Sequence, residues 1–283
     1  MTAPAIERFD EPAAFLSAAE ASLLRDEARN NLFLGLAQRL GQPPPLGVAE
    51  AYVVRGRDGA PVAVAVRSER RGLVVSDGPA DALAALADEI VDAGVALPAA
   101  NGPEPAVGAF VARYRERTGA GQADGMRTRL HRLDTVVAPR AVPGAMRAAD
   151  EPDRALAARW IQAFSADTGV PGPTPGTAEA LDQRRLFLWD DGGPVAMAAW
   201  GRPTPNGCSI GLVYTPPERR GRGYASALVA ALSQRMLDGG KRFCTLYTDL
   251  ANPTSNAIYA RIGYRPLADF RLVRFEPRGD ETG

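Results

Sequence analysis

Three arginines and two glycines crowd into five positions, Arg219-Arg220-Gly221-Arg222-Gly223. Before them, Val213 and Tyr214 close an apolar run with strand propensity. Pro216 and Pro217 stop that run, because neither has an N–H for a ladder. After them, Ala225, Leu228, Val229, Leu232 and Met236 recur at the spacing of one helix face. A glycine-bent loop that opens a helix aims several unpaired N–H groups at one spot, and the helix dipole adds partial positive charge there. Gly221 and Gly223 let the backbone bend and lie bare. The arginines add full charges. The chemistry that fits is retention of a di-anion, above all a pyrophosphate. The competing reading is a solvated basic turn ahead of an ordinary helix.

Composition narrows the choice. Lys+Arg 33 and Asp+Glu 33 cancel, so these arginines are a local feature, and the basic surplus of a nucleic-acid binder is missing. The chain has one histidine, His131, and two cysteines, Cys208 and Cys244, with no C-x-x-C. That argues against a metal site and for buried, reduced thiols. Acidic Glu7, Asp10 and Glu11 stand where a signal peptide would carry its apolar core, and no apolar run reaches membrane-spanning length. With 46% apolar residues among 283, there is material for two domains. The expectation is a soluble, cytoplasmic monomer or homodimer, with no nucleic-acid or membrane partner.

The elements that must position the loop follow from periodicity and breakers. Residues 13–40 carry helical patterns, the clearer one through Leu23, Leu24, Ala28, Leu32, Leu36 and Leu40, ended by Gln42-Pro43-Pro44-Pro45. A hairpin over 51–55 and 61–66 turns at Asp58-Gly59. A strand at 72–76, a helix at 80–93, a strand at 95–98, a helix at 106–114 and a strand at 127–137 follow. Residues 137–144, with Pro139 and Pro143, read as a linker. The order then recurs: a helix at 153–164, a Gly/Pro-rich loop at 169–176, a short helix at 178–184, and a hairpin over 186–189 and 194–200. Next come a strand at 209–214, the glycine loop and its helix to 237, a strand at 243–247, a helix at 253–262 and a strand at 270–275.

The halves also share text. Asp58-Gly59-Ala60-Pro61-Val62-Ala63 parallels Asp191-Gly192-Gly193-Pro194-Val195-Ala196, and Ala100-Asn101-Gly102-Pro103 parallels Ala251-Asn252-Pro253. The sequence therefore predicts a duplicated α+β fold, each copy a mixed central sheet flanked by helices. Its domains are residues 1–138 and 145–283, joined by a linker at 139–144. The slot matching the glycine loop, Ser76-Asp77-Gly78-Pro79-Ala80-Asp81, is shorter, lacks arginine and carries two aspartates. It is expected to repel phosphate, so the first copy is the degenerate one.

Arg220-Gly221-Arg222-Gly223-Tyr224-Ala225 resembles the R-x-x-G-x-A acyl-CoA signature of the GNAT superfamily of N-acetyltransferases. The stretch from Asn252 through Asn256 and Tyr259 to Tyr264 resembles that family's second motif. The resemblance is close over the C-terminal half and rests on element order in the N-terminal half. It implies tandem GNAT-like domains, with acetyl-CoA as co-substrate and transfer of its acetyl group directly to an amine. It further implies that the amides of Gly221, Arg222, Gly223, Tyr224 and Ala225 hold the pyrophosphate. Arg220 either touches phosphate or shapes the loop. Pantetheine would lie between the strand ending at Val213–Tyr214 and the strand over 243–247, and the amide of Val213 or Thr215 would polarise the thioester carbonyl.

Asn252 is expected to cap a helix that starts at Pro253. Asn256 lies one turn from Tyr259, on the same face. The resemblance places Asn256 beside the pantetheine arm and gives Tyr259 the proton for the departing thiolate; otherwise Tyr259 is a core aromatic. Tyr264 starts the next strand and packs. The strand before the loop has no carboxylate, which leaves Glu218, Asp249 or water as the base. The resemblance puts the 165–176 loop and a 267–271 connection around the acceptor, with Asp167 a candidate for attracting an ammonium group. The alternatives are a non-catalytic acyl-CoA-binding or partner-binding protein, or an acyltransferase for another acyl-CoA or a non-amine acceptor.

Overall fold

The computed structural model describes residues 4–41, 48–169, 180 and 183–277. The Gln42–Pro45 stop, residues 170–176 of the proline-rich loop and most of the expected 178–184 helix lie outside them. Two compact units emerge. The first comprises Met1–Arg129, Asp249–Ala251 and Ala268–Gly283; the second comprises Leu130–Thr248 and Asn252–Leu267. Neither unit is one unbroken stretch of chain. Among the described residues no helix is long and apolar enough to cross a membrane.

The sheet of the first unit begins with β1 (Ala5–Phe9), β2 (Glu50–Arg55), β3 (Pro61–Ser68), β4 (Gly72–Val75) and β5 (Ala99–Pro103). Residues 268–276 of β12 (Arg265–Glu276) and 121–129 of β6 (Gly121–Leu133) complete it, in that order. β4 and β5 are parallel, and the other registered pairs are antiparallel. Consecutive strand residues face opposite sides, so Val53 and Val54 enter different cores. Val53 joins Phe15, Leu23 and Phe33 from α1 (Pro12–Leu23) and α2 (Asn31–Ala37). Val54 joins Leu83, Leu86, Ile90 and Phe110 from α3 (Ala80–Asp92) and α4 (Glu104–Thr118). The helical patterns expected over 13–40 are two helices, and the clearer pattern, from Leu23 to Leu40, is interrupted. Between the helices is a 3-10 turn at Leu24–Asp26, and Asn30 Nδ2 bonds to the Leu23 carbonyl that ends α1, at 3.0 Å.

In the second unit the order is residues 130–133 of β6, then β11 (Phe243–Asp249), β10 (Gly207–Tyr214), β9 (Pro194–Gly201), β8 (Leu186–Asp190) and β7 (Ala145–Ala148). On one face, α6 (Tyr224–Asp238) and α7 (Pro253–Arg261) bring Leu228, Leu232 and Tyr259 onto Ile210, Leu246 and Ala198. On the other, α5 (Arg154–Thr168) brings Ala157 and Ile161 onto Leu186, Leu188 and Met197. Both expected hairpins form. In the first, Asp58 Oδ1 accepts from Ala60 N at 3.0 Å; in the second, Asp190 Oδ1 accepts from Gly193 N at 2.9 Å.

Three differences from the sequence expectation have physical causes. The strand expected at 95–98 lies at Ala99–Pro103, because Leu97 gives its N–H to the Tyr114 hydroxyl (3.0 Å) rather than to a ladder. β1 and β7 carry too little apolar pattern to be read as strands. Ion pairs made after chain reversal hold them: Arg55 of β2 grips Glu7 at 2.8 Å, and Arg147 of β7 reaches Asp190 of β8 at 2.9 Å. The helix expected to end at Tyr114 runs on to Thr118, where Gly119 caps it at φ 71°.

Arg147 also takes both oxygens of Asp153, at 2.6 and 2.9 Å. Asp153 has only 8% of its side chain exposed. Its hydrogen bonds from Arg147 hold its carboxyl down at about 2. A folded pKa below the unfolded one stabilises the fold above the unfolded pKa, and that stability is lost as pH falls through the folded value. Arg147→Met should lower the unfolding free energy at neutral pH by about 2 kcal/mol. The gap from wild type should narrow as pH falls from about 4 toward 2. Urea unfolding across that range checks both.

Candidate active site

The site starts from an irregularity in β10. Gly211 pairs with Ala199 of β9, and the next registered pair is Tyr214 with Met197. Three steps on β10 thus match two on β9, so β10 holds one extra residue. Leu212 absorbs it at φ 50°, a conformation that branched side chains seldom adopt. The backbone of Leu212 and Val213 leaves the β9 ladder over this bulge. A bulge bends its strand, and on its other side β10 registers with β11 in three rungs only: Gly207–Phe243, Cys208–Cys244 and Ser209–Thr245. Beyond them, residues 210–214 and 246–249 are unpaired with each other.

The glycine loop follows directly. Pro217–Arg219 makes one 3-10 turn, Gly221 sits at φ 76°, and Gly223 at φ 87° is the residue on which α6 begins. The first helical bond is Ala227 N–H to the Gly223 carbonyl, at 3.0 Å. The N–H groups of Gly223, Tyr224, Ala225 and Ser226 precede that bond, and no side chain caps them. They form the bare, positive helix start that an anion needs. The left-handed backbone accounts for both glycines. A Cβ on Gly221 would meet nothing within 4 Å, and one on Gly223 only Val142, at 3.1 Å.

The arginines divide. Arg220 turns back: its Nε donates to the Thr215 carbonyl at 2.9 Å and its Nη2 to Asp167 at 2.5 Å. Its guanidinium also lies over the Tyr214 ring, at 5.9 Å. Arg220 therefore clamps the loop to the end of β10 and to α5, and Asp167 is its partner. Arg219 and Arg222 are exposed. Thr215 Oγ1 is buried with no hydrogen-bond partner among the described residues. Tyr224, the first residue of α6, is 5% exposed and donates its hydroxyl to Asp191 of the β8–β9 turn at 2.6 Å. That bond raises the Tyr224 pKa. Asp191 carried no signal in the sequence as a partner of this loop, because the contact spans the whole of β9 and β10.

At the far end of the unpaired β11 segment, Thr248 donates to Asn256 Oδ1 at 2.6 Å, and Asn256 Nδ2 donates to the Asn252 carbonyl at 2.9 Å. Asn256 so ties the end of β11 to the first turn of α7. Asn252 caps that helix by accepting from Ser255 N at 3.0 Å, with Pro253 in its first turn. One turn after Asn256, Tyr259 is 9% exposed, and its ring meets Tyr264 edge-on at 6.0 Å. Its hydroxyl makes no hydrogen bond among the described residues, and burial pushes it up to about 12. Tyr264 is fully buried and shares a 2.9 Å hydrogen bond with Ser233 of α6.

The remaining candidates lie as follows. Glu218 is exposed in the 3-10 turn. Asp249 Oδ1 accepts from Ala251 N at 2.8 Å. The expected loop at 165–176 begins later than read, since α5 runs to Thr168. The expected connection at 267–271 is strand, because β12 begins at Arg265.

The comparisons bear on this geometry. The FR47-like protein family model matches residues 189–272, which contain the bulge, the loop and α7. No curated protein matches the sequence. The X-ray structure of a Drosophila protein is similar over 97% of this chain and 99% of its own, with TM-score 0.67 at 15% identity. A GCN5-related N-acetyltransferase from Sphaerobacter thermophilus is similar over 96% of each chain, with TM-score 0.61 at 19% identity. A tandem GNAT protein from the clavulanic acid biosynthesis pathway is similar over 98% of this chain and 100% of its own, with TM-score 0.55 at 15% identity. At these identities the likeness is one of fold, and it takes in both units.

The cap and the Asn256 bridge are separable. Asn252→Ala should cost about 1 kcal/mol of stability through loss of the cap. The urea midpoint should fall at an unchanged slope.

Proposed function

We propose that this chain, whose fold is that of tandem GNAT proteins, is a member of the GNAT superfamily, and that its second unit binds acetyl-CoA and transfers the acetyl group to an amine. One observation carries this reading: β10 parts from β11 after three rungs and leads straight into an uncapped, glycine-bent helix start. A gap between strands offers unpaired backbone to an extended amide arm. A helix start at the end of that gap offers N–H groups to a diphosphate.

The residues divide the work. The amides at Gly221, Arg222, Gly223, Tyr224 and Ala225 hold the pyrophosphate. Arg220 shapes their loop and Arg222 adds charge beside them. Val213, Tyr214 and Thr215 line the pantetheine path, and Asn252 and Asn256 set its opposite side. Between Val213 and Thr215 as the donor to the thioester carbonyl, the bulge favours Val213, whose backbone the β9 ladder releases. Tyr259 gives its proton to the departing sulfur. Burial supports this role, because a phenol raised to about 12 stays protonated throughout the physiological range. The amine loses its proton to Glu218, Asp249 or water.

The first unit is the degenerate copy, without a coenzyme site. In its matching strand pair, β4 and β5, which register in two rungs, the backbones leave no room for a side chain at either end. A Cβ on Gly72 would fall 2.0 Å from the Ala99 carbonyl oxygen, and one on Gly102 would fall 2.7 Å from that of Val75. Asp77 of the matching slot pairs with Arg29 at 2.6 Å.

Gly223→Glu should abolish acetyl-CoA binding in calorimetry while the protein stays folded, since the new carboxylate stands at the anion site. Normal affinity would defeat the loop reading. Tyr259→Phe should keep acetyl-CoA affinity and lower kcat by about 100-fold. The wild-type rate should show no loss from this group below about pH 11, one unit under the value that burial gives it. Unchanged turnover in the variant at saturating acceptor, with acetyl-CoA still bound, would sink the acid assignment. A thiol-release screen over amines, peptides and aminoglycosides identifies the acceptor class.

A further inference from the structure

The chain has two cysteines, and the fold sets them against each other. Cys208 and Cys244 are register partners on β10 and β11, and their sulfurs are 3.9 Å apart. Both are free thiols, 1% and 0% exposed. They form the middle of the three rungs that join these strands before the gap opens. Cα atoms of partners on adjacent strands lie about 4.8 Å apart. A disulfide spans Cα separations of about 4.4 to 6.8 Å, so side-chain rotation alone brings the sulfurs into bonding range.

We propose that Cys208 and Cys244 form a reversible intrachain disulfide, and that this bond narrows the base of the β10–β11 gap and weakens acetyl-CoA binding there. The second clause rests on the function proposed above; the first stands without it. Burial restricts the oxidant to something as small as water, and the class named here is a peroxide, with hydrogen peroxide the simplest member. Cys208, as thiolate, attacks one peroxide oxygen. An S–O bond forms, the O–O bond breaks, and the leaving hydroxide takes a proton to become water. Cys244 then attacks that sulfur and gives its proton to the departing hydroxide. The S–S bond forms, the S–O bond breaks, and a second water leaves. The two sulfurs give up two electrons, the peroxide oxygens gain them, and both thiol protons end in water.

Geometry and environment order these steps. Across the 3.9 Å contact, the Cys244 sulfur and the Lys241 charge lower the Cys208 pKa, while the same contact and burial raise that of Cys244, so Cys208 is the sulfur that attacks first. Cys244 also contacts the Ser233 carbonyl of α6 at 3.8 Å. Drawing its sulfur toward β10 breaks that contact, which lies on the helix that the glycine loop opens. The polar neighbours of this rung include the hydroxyls of Ser209 and Thr245, on the next rung, and the buried Ser233–Tyr264 pair.

The test uses the full chain treated with hydrogen peroxide. The expected product has lost two hydrogens by intact mass, has no free thiol after denaturation, and gives one disulfide-linked peptide pair holding Cys208 and Cys244. Dithiothreitol should return both thiols. Unreacted thiols, or sulfinic and sulfonic adducts in place of the bond, would overturn the proposal. Calorimetry on the oxidised chain should show acetyl-CoA affinity reduced about tenfold and recovered on reduction, with Cys208→Ser and Cys244→Ser insensitive to peroxide. Complete disulfide formation with unchanged affinity overturns the coupling to the gap. Reduced protein that binds no acetyl-CoA overturns the coenzyme reading and leaves the disulfide to stand or fall by its mass.

Discussion

One extra residue in β10 governs the second unit. Without it, β10 would keep both ladders to its end, and the backbone at Val213 would be spent on β9. Leu212 at φ 50° takes the strain of the insertion, which for a non-glycine residue costs roughly 1–2 kcal/mol. Packing on both sides of the sheet offsets that cost. Leu212 and Tyr214 join the cluster under α5, while Val213 joins the cluster under α6. The strand is held by its side chains at the point where its backbone is released. Strain, burial and an unpaired backbone therefore coincide at one place.

Around that place, ordinary interactions fix the loop. Arg220 spans from the Thr215 carbonyl to Asp167, and the Tyr224 hydroxyl spans from the start of α6 to Asp191. Both contacts hold the backbone rather than face an anion. An exposed ion pair such as Arg220–Asp167 adds little to global stability. Its effect is to keep the loop in one geometry, which preserves the aim of the N–H groups. Affinity for a diphosphate depends on that aim more than on the count of arginines.

Much of this was legible in the sequence. Glycines before a helical period, Asn252 before Pro253, and Asp-Gly turns between alternating runs are local signals, and local geometry answers them. β1, β7 and the true limits of β5 were not legible, because ion pairs or neighbours distant in the chain settle them. Glu7 reads as a surface acid until β2 brings Arg55 to it. Asn101 and Gly102 fall outside the strand expected at 95–98 and become strand where β4 and β12 flank them. The bulge leaves no trace in composition, since Gly211-Leu212-Val213 suits a regular strand equally well. It arises from the register that β9 imposes on β10.

The two matching strand pairs differ in how closely their backbones approach. In β4 and β5, glycines at either end of the pairing let the backbones approach until no side chain fits. Gly72 faces Ala99 and Gly102 faces Val75. That pair registers in two rungs, Leu73–Ala100 and Val74–Asn101, and Val75 beyond them is fully buried. In β10 and β11, Gly211 beyond the last rung is exposed, and no side chain closes over it. The aspartates at Asp77 and Asp81 serve the surface, where Asp77 meets Arg29.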